Sequence, residues 1–350
     1  LKEIRIELEN RSSLVKVGGS IDEIRKLTDP ADTIIVTDEN IKRLYSEKLE
    51  GYRVIVIGTG EKIKTFETVE DIVAKLIEYG AGRKSFLLAV GGGIVCDIAG
   101  FAASVFMRGI RFGFVSTSVL SQVDASVGGK NGVNVRGLKN MMGVFNQPEF
   151  VICDHDMLST LPDIEYTNGL GEVVKSACLN DREFFEYLEK NTDRIIAKES
   201  EVLHEIIKKS VIFKASVVEQ DEKESGLRKI LNLGHTIGHG LEKTGTIPHG
   251  FAIAAGMGAA AEISVEMGFL VKETAHRIRK LIDSLGLDSE LKNAVKQEQL
   301  DSLIAAMASD KKKEGDSVDF ILLEDIGRPV IKKIEIPELR KILTKILRGD

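Results

Sequence analysis

Ser85–Phe106 reads SFLLAVGGGIVCDIAGFAASVF, an apolar run that stops at three glycines and resumes as a helical pattern. Phe86–Val90 has the length and apolar content of a buried strand, and Gly91-Gly92-Gly93 supply a side-chain-free turn at the start of the helix. Glycines let backbone amides approach an anion, and the unpaired amides and dipole of a helix N-terminus favour it. A pyrophosphate fits such a turn, which makes Gly92 and Gly93 candidate cofactor contacts. The run is GGG and not G-x-G-x-x-G, so by itself a plain tight turn explains it as well.

The sequence around this stretch raises the weight of the nucleotide reading. Short β-branched runs at Thr33–Thr37, Arg53–Ile57, Phe112–Val115 and Phe150–Cys153 alternate with helical patterns such as Thr68–Tyr79, the signature of a wound α/β layer with a largely parallel sheet. Asp38 ends one of these strands, where open α/β sheets hold ligands, and Asp97 lies one turn inside the glycine-led helix. The opening runs Ile4–Leu8 and Leu14–Val17 suggest an accessory hairpin. After Leu161-Pro162 strand signals give way to helical patterns at Glu165–Leu179, Glu183–Glu189, Glu199–Glu219, Ile230–Lys243, Ala252–Met267 and Lys272–Ser284. Val318–Leu323 and Val330–Ile334 read as a small hairpin before a last helix near Pro337. The expected fold is α/β plus α, with an N-terminal wound nucleotide-binding domain over residues 1–155 and a mainly helical metal- and substrate-binding domain over 156–350.

With 350 residues, two cores are the expectation, and 43% apolar with 29% charged residues is an ordinary globular balance. A net charge of −6 without a basic stripe disfavours nucleic acid and anionic membrane as partners. The most apolar helical stretch, Phe251–Ala261, falls well short of the roughly 20 residues that cross a bilayer. Cys96, Cys153 and Cys178 have no CxxC spacing, which points to free thiols in a reducing compartment, the cytoplasm.

Two further clusters carry chemistry. The segment from Arg108 to Asn140 holds Asp124, Lys130, Lys139 and Asn140 around SVGGKNGVN, a glycine-dense polar stretch that reads as a site loop or a solvated surface loop. In LNLGHTIGH, His235 and His239 are four apart on one helical face, and His249 follows ten residues later. A metal bound by both His235 and His239, or by one of them with His249, is compatible with this spacing. Glu172 and Lys175 in GLGEVVK share a helix face, as an ion pair or as part of a site.

Taken together, GGGIVCDIAGFAASVFMRG, STSVLSQVDASVGGKNGVN, LKNMMGVFNQP, GLGEVVK, LNLGHTIGH and DKKKEG resemble, in order, the motifs of the 3-dehydroquinate synthase family of sugar-phosphate cyclases. The resemblance implies a homodimeric enzyme using NAD+ and a divalent metal, Zn2+ or Co2+, with its active site between the two domains. It implies Glu172, His235 and His249 as metal ligands and His239 as a substrate contact. Arg108, Asp124, Lys130, Lys139, Asn140, Lys175, Lys214, Arg228, Asn232 and Lys311 match the family's substrate-binding positions. Asp38, Glu61, Lys64, Gly92, Gly93, Asp97, Thr117, Ser118, Thr160 and Glu165 match its NAD-contacting ones, with Lys130 and Lys139 serving both.

The reaction so implied oxidises a ring hydroxyl of 3-deoxy-D-arabino-heptulosonate 7-phosphate, eliminates phosphate beside the new ketone, re-reduces it, then opens and recloses the ring by aldol addition to give 3-dehydroquinate. Four positions depart from the family's usual residues. Phe251 stands where Glu follows the His-Gly of the third ligand, Cys96 for Gly, Asn131 for Thr and Ser116 for Pro. Loss of the carboxylate at 251 is expected to weaken support of the metal ligands. Alternative readings are a 2-deoxy-scyllo-inosose or valiolone-type synthase, a metal-dependent polyol dehydrogenase, or a non-catalytic NAD- and metal-binding homologue.

Overall fold

The computed structural model describes residues 1–9, 11–244, 247–310 and 317–348. They form two compact units, Leu1–Pro162 with Ile207–Lys223, and Asp163–Ile206 with Glu224–Asp350. The first unit therefore includes the last two thirds of the helix Ser200–Gln220.

In the first unit the strands are β1 (Lys2–Leu8), β2 (Arg11–Val17), β3 (Thr33–Asp38), β4 (Arg53–Ile57), β5 (Phe86–Gly91), β6 (Arg111–Ser116), β7 (Lys130–Val135), β8 (Leu138–Phe145) and β9 (Phe150–Cys153). Seven of them make one sheet in the order β1-β2-β9-β6-β5-β3-β4, parallel throughout except for the β1–β2 hairpin. β5 and β9 are buried along their whole length, which is why they are written as unbroken apolar runs and not as alternating ones. Ile35, Leu88, Val90, Val115 and Ile152 belong to the core on this sheet.

The strand order positions a site. From β3 the chain steps outward to β4, then returns to the other side of β3 to lay down β5 and β6. The direction of winding thus reverses between β3 and β5, whose ends lie side by side with Thr37 opposite Val90. Ligands of open parallel sheets bind at such a reversal, beyond the carboxyl ends of the strands. Asp38 and Gly91-Gly92-Gly93 occupy those ends.

Two expectations for this unit need correction. The N-terminal hairpin is no accessory, because β2 pairs in parallel with β9 and extends the main sheet. SVGGKNGVN is not all loop either. Lys130–Val135 is strand β7, paired antiparallel with β8 in a separate two-stranded sheet.

The second unit is mainly helical, with helices Asp163–Asn180, Arg182–Lys190, His249–Glu266 and Lys272–Ser284 close to the expected spans. The helix expected over Ile230–Lys243 is broken. Leu227–Asn232 is a 3-10 turn, Gly234 takes φ +78°, a left-handed conformation that ends it, and a new helix runs His235–Thr244. Helix Leu300–Asp310 has no counterpart in the sequence reading. Strands β10 (Ser317–Asp325) and β11 (Arg328–Glu335) form the anticipated hairpin before the last helix, Ile336–Arg348. Ile237, Leu241, Ala259, Ile263, Leu303 and Phe320 share one core. No helix among the described residues is long and apolar enough to cross a membrane.

Candidate functional site

At the winding reversal of the first unit, Gly92 caps the helix Gly93–Val105 through its backbone, and no side chain hydrogen-bonds to that N-terminus. A Cβ on Gly93 would stand 2.9 Å from the Ala125 Cβ, so a side chain would fill the turn. A glycine-lined helix start with no side-chain cap at this point of the sheet suits a dinucleotide's pyrophosphate. Asp38 Oδ1 accepts the Ile41 amide at 2.9 Å, and burial raises its carboxyl above the usual range.

Asp97 and Lys64 meet beside this turn. Lys64 Nζ donates to Asp97 Oδ2 at 2.5 Å and to Asn140 Oδ1 at 2.6 Å. Burial raises the Asp97 carboxyl, against the opposing pull of Lys64. Asn134 joins the β7–β8 hairpin to the same place, donating to Glu61 Oε1 at 2.7 Å and accepting the Asn140 amide at 2.9 Å. Ser121–Ala125 forms a single π turn, a distortion frequent at functional sites. It presents Asp124, whose Oδ1 and main-chain carbonyl both accept from Lys214 Nζ at 2.7 Å.

In the second unit, three helices bring Glu172, His235 and His249 together. Among the described residues they form the one group of three or more His, Cys, Asp or Glu whose ligand atoms all lie within 4.8 Å of one another. Glu172, 0% exposed, points Oε1 at His235 Nε2 (3.7 Å) and His249 Nε2 (3.4 Å), while its Oε2 pairs with Lys175. The other ring nitrogens define the tautomers. His235 Nδ1 is 3.2 Å from the Leu233 carbonyl and His249 Nδ1 is 3.2 Å from Glu242 Oε1. A carbonyl accepts only, and so does an ionised carboxylate, so both Nδ1 atoms carry protons and both Nε2 lone pairs are turned to Glu172 when the rings are neutral. Two imidazole nitrogens and a carboxylate oxygen converging in this way fit a divalent ion such as zinc or cobalt.

Burial, with the Lys175 charge, holds His235 down at about 3 and therefore neutral, as a ligand requires. His249 differs: burial disfavours its cation, but hydrogen bonds to Glu172 and Glu242 outweigh that and raise it to about 9. The His239 ring centroid lies 5.2 Å from that of His235 and 6.5 Å from that of His249. It borders the cluster without belonging to the converging set, although its i, i+4 spacing from His235 allowed either arrangement.

The remaining candidates are placed as follows. Arg228 is 1% exposed, and Asn232 Nδ2 donates to Glu224 Oε1 at 2.7 Å. Thr160 Oγ1 meets the Tyr45 hydroxyl at 2.7 Å, Glu165 Oε2 accepts from Asn168 at 3.4 Å, and the Ser118 and Ser121 hydroxyls are 3.0 Å apart. The Thr117 amide ties β6 to the glycine turn through the Gly91 carbonyl at 3.1 Å. Arg108 is exposed with φ +70°, and Lys130 and Lys139 are exposed on the β7–β8 hairpin. Lys311 lies outside the described residues.

Sequence reasoning missed Glu242 and Asn134. Glu242 follows His235 by seven residues, two helical turns, so its place on the same face was readable. Three of the four departures are buried in the first unit: Cys96, Ser116 and Asn131, whose Nδ2 donates to the Asn146 carbonyl at 2.7 Å. The fourth, Phe251, is half-buried on the helix that begins with His249.

Residues 54–168 match the family described as 3-dehydroquinate synthase N-terminal, and residues 169–313 that described as 3-dehydroquinate synthase C-terminal. The 3-dehydroquinate synthase of Dictyoglomus thermophilum is 37% identical, covering 100% of this chain and 99% of its own. That of Alkaliphilus metalliredigens is 39% identical over 92% of each chain. A solved structure of 2-deoxy-scyllo-inosose synthase, complexed with carbaglucose-6-phosphate, NAD+ and Co2+, superposes with TM-score 0.86 at 26% identity, covering 98% of this chain and 99% of that one. With both halves matched and relatives aligned from end to end, the chain belongs to the 3-dehydroquinate synthase family.

Proposed function

We propose that the chain converts 3-deoxy-D-arabino-heptulosonate 7-phosphate to 3-dehydroquinate and phosphate. The observation that carries this is the convergence of Glu172, His235 and His249 beside the buried Lys175, in a chain of this family. When bound, NAD+ accepts and returns a hydride, and a divalent ion held by those three residues polarises the substrate's hydroxyl and later ketone. The glycine turn and Asp38 would hold the dinucleotide, with Lys64 fixed by Asp97 beside it. A substrate with a phosphate and a carboxylate needs several cations, and Arg108, Lys130, Lys139, Lys175, Lys214, Arg228 and Lys311 are the residues we assign to them, with Asp124, Asn140 and Asn232 as polar contacts. His239, whose ring borders those of His235 and His249, would hydrogen-bond the substrate or pass a proton.

The similarity to 2-deoxy-scyllo-inosose synthase favours one second reading, a related cyclase acting on another sugar phosphate. Asn140 and His239 argue against it, since the resemblance to dehydroquinate synthases includes both. A substrate panel separates the two. Phosphate is expected from the heptulosonate phosphate and not from sedoheptulose 7-phosphate or glucose 6-phosphate; release from either of the latter alone would assign the chain to a sister activity. Net accumulation of NADH with a polyol would make it a dehydrogenase, and no turnover despite bound NAD+ and metal would make it a non-catalytic homologue. We further propose a homodimer, and a cytoplasmic location supported by three free, buried thiols.

A further inference from the structure

Glu242 is a buried carboxylate with no part in the chemistry above. Its side chain is 5% exposed, and it lies two turns along the helix that His235 begins. From there its Oε1 accepts a hydrogen bond from His249 Nδ1 at 3.2 Å. The helix that His249 opens is capped by Pro248, without a side-chain hydrogen bond, and two residues on stands Phe251, which has no acceptor to offer.

We infer that Glu242 is the positioning residue for His249. It fixes the tautomer with the proton on Nδ1, aims Nε2 at Glu172 Oε1, and makes the imidazole a stronger donor to a divalent cation. The two histidines are then unequal: His235 is oriented by a neutral carbonyl of the main chain, His249 by a full negative charge. One helix does both jobs, since His235–Thr244 provides a ligand at its first residue and the orienting carboxylate of another at Glu242. The inference rests on reading Glu172, His235 and His249 as metal ligands.

The test uses the full chain as wild type, Glu242→Gln and Glu242→Ala, each stripped with a chelator and titrated with Zn2+ and with Co2+ against a competing metal dye. Affinity is expected to fall about 10-fold for Gln, which keeps the shape but not the charge, and up to about 100-fold for Ala. The visible absorption of the cobalt form is expected to shift in Glu242→Gln, while the metal-free melting temperature of that variant stays near the wild-type value. Unchanged affinity and cobalt spectrum in Glu242→Gln overturn the inference and leave the ligand set standing. So does a drop in metal-free stability with affinity unchanged, which is what a merely structural carboxylate gives. Failure of the wild type to bind either ion overturns the ligand set, and this inference with it.

Discussion

Glu172→Gln is expected to lower turnover by about 1000-fold and to destabilise the metal-free protein by about 3–5 kcal/mol. The kinetic part follows from losing the anionic ligand: several kcal/mol of charge stabilisation at the reacting oxygen correspond to about three powers of ten in rate. The stability part has a separate cause. Glu172 and Lys175 are 0% and 2% exposed and pair with each other on one helix face. Removing one charge leaves the other deep in a low-dielectric interior, whereas replacing both with apolar groups is often neutral. Glu172→Gln combined with Lys175→Met should therefore regain most of the lost stability and none of the turnover. Denaturant unfolding of the metal-free proteins, with phosphate-release rates of the metal-loaded ones, measures both. If the double variant is no more stable than the single one, the pair does not carry the energy assigned to it.

Gly250→Ala is expected to cost about 3 kcal/mol or more and to weaken metal binding, although it adds one methyl group. A Cβ at this position would lie 1.7 Å from the Asn168 carbonyl oxygen, and one on Gly171 would lie 2.6 Å from the Gly250 oxygen. The helices Asp163–Asn180 and His249–Glu266 thus touch backbone to backbone, locked by the Gly250 amide donating to Asn168 Oδ1 at 2.6 Å. Glu172 sits next to one side of this contact and His249 next to the other. Forcing the helices apart separates the carboxylate from the imidazole, and ligand geometry tolerates shifts of only a few tenths of an ångström. Gly82→Ala, where a Cβ meets nothing within 4 Å, is the control and should change stability by less than about 0.5 kcal/mol. Thermal unfolding of both variants and zinc titration of Gly250→Ala check this. Equal stability in the two variants would mean that the helix contact is looser than described.

How much of this could be read beforehand depended on where each signal is written. β3 and β9 lie within one residue of their expected spans because a parallel strand covered on both faces is an unbroken apolar run. The β7–β8 hairpin was hidden for the opposite reason. β8 is exposed along nearly its whole length, and glycines face each other at Gly132 and Gly143, so the alternation that marks a strand is missing. In the second unit, helical spacing continues across Leu233-Gly234, and only a positive φ reveals the break.

The site shows the same division. The glycine turn is local and legible. The histidine cluster was visible as a cluster, but spacing left open whether His235 pairs with His239 or one of them with His249, and the converging set is assembled from three helices through tertiary contact. Glu242 escaped notice because Glu242-Lys243 looks like a solvated charge pair, and nothing local says that one of the two is buried. The resemblance pointed to position 251 for a carboxylate near the ligands, whereas the carboxylate seen against His249 is Glu242, on a different helix.

The most direct measurement of the central claim is phosphate release from 3-deoxy-D-arabino-heptulosonate 7-phosphate by protein stripped of metal and nucleotide, then restored with Zn2+ or Co2+, with NAD+, and with both, while NADH is followed by absorbance. Transient redox chemistry at a metal centre predicts release only when both are restored, in step with 3-dehydroquinate formation and without net NADH. Phosphate release that persists after both metal and NAD+ have been removed would contradict the account.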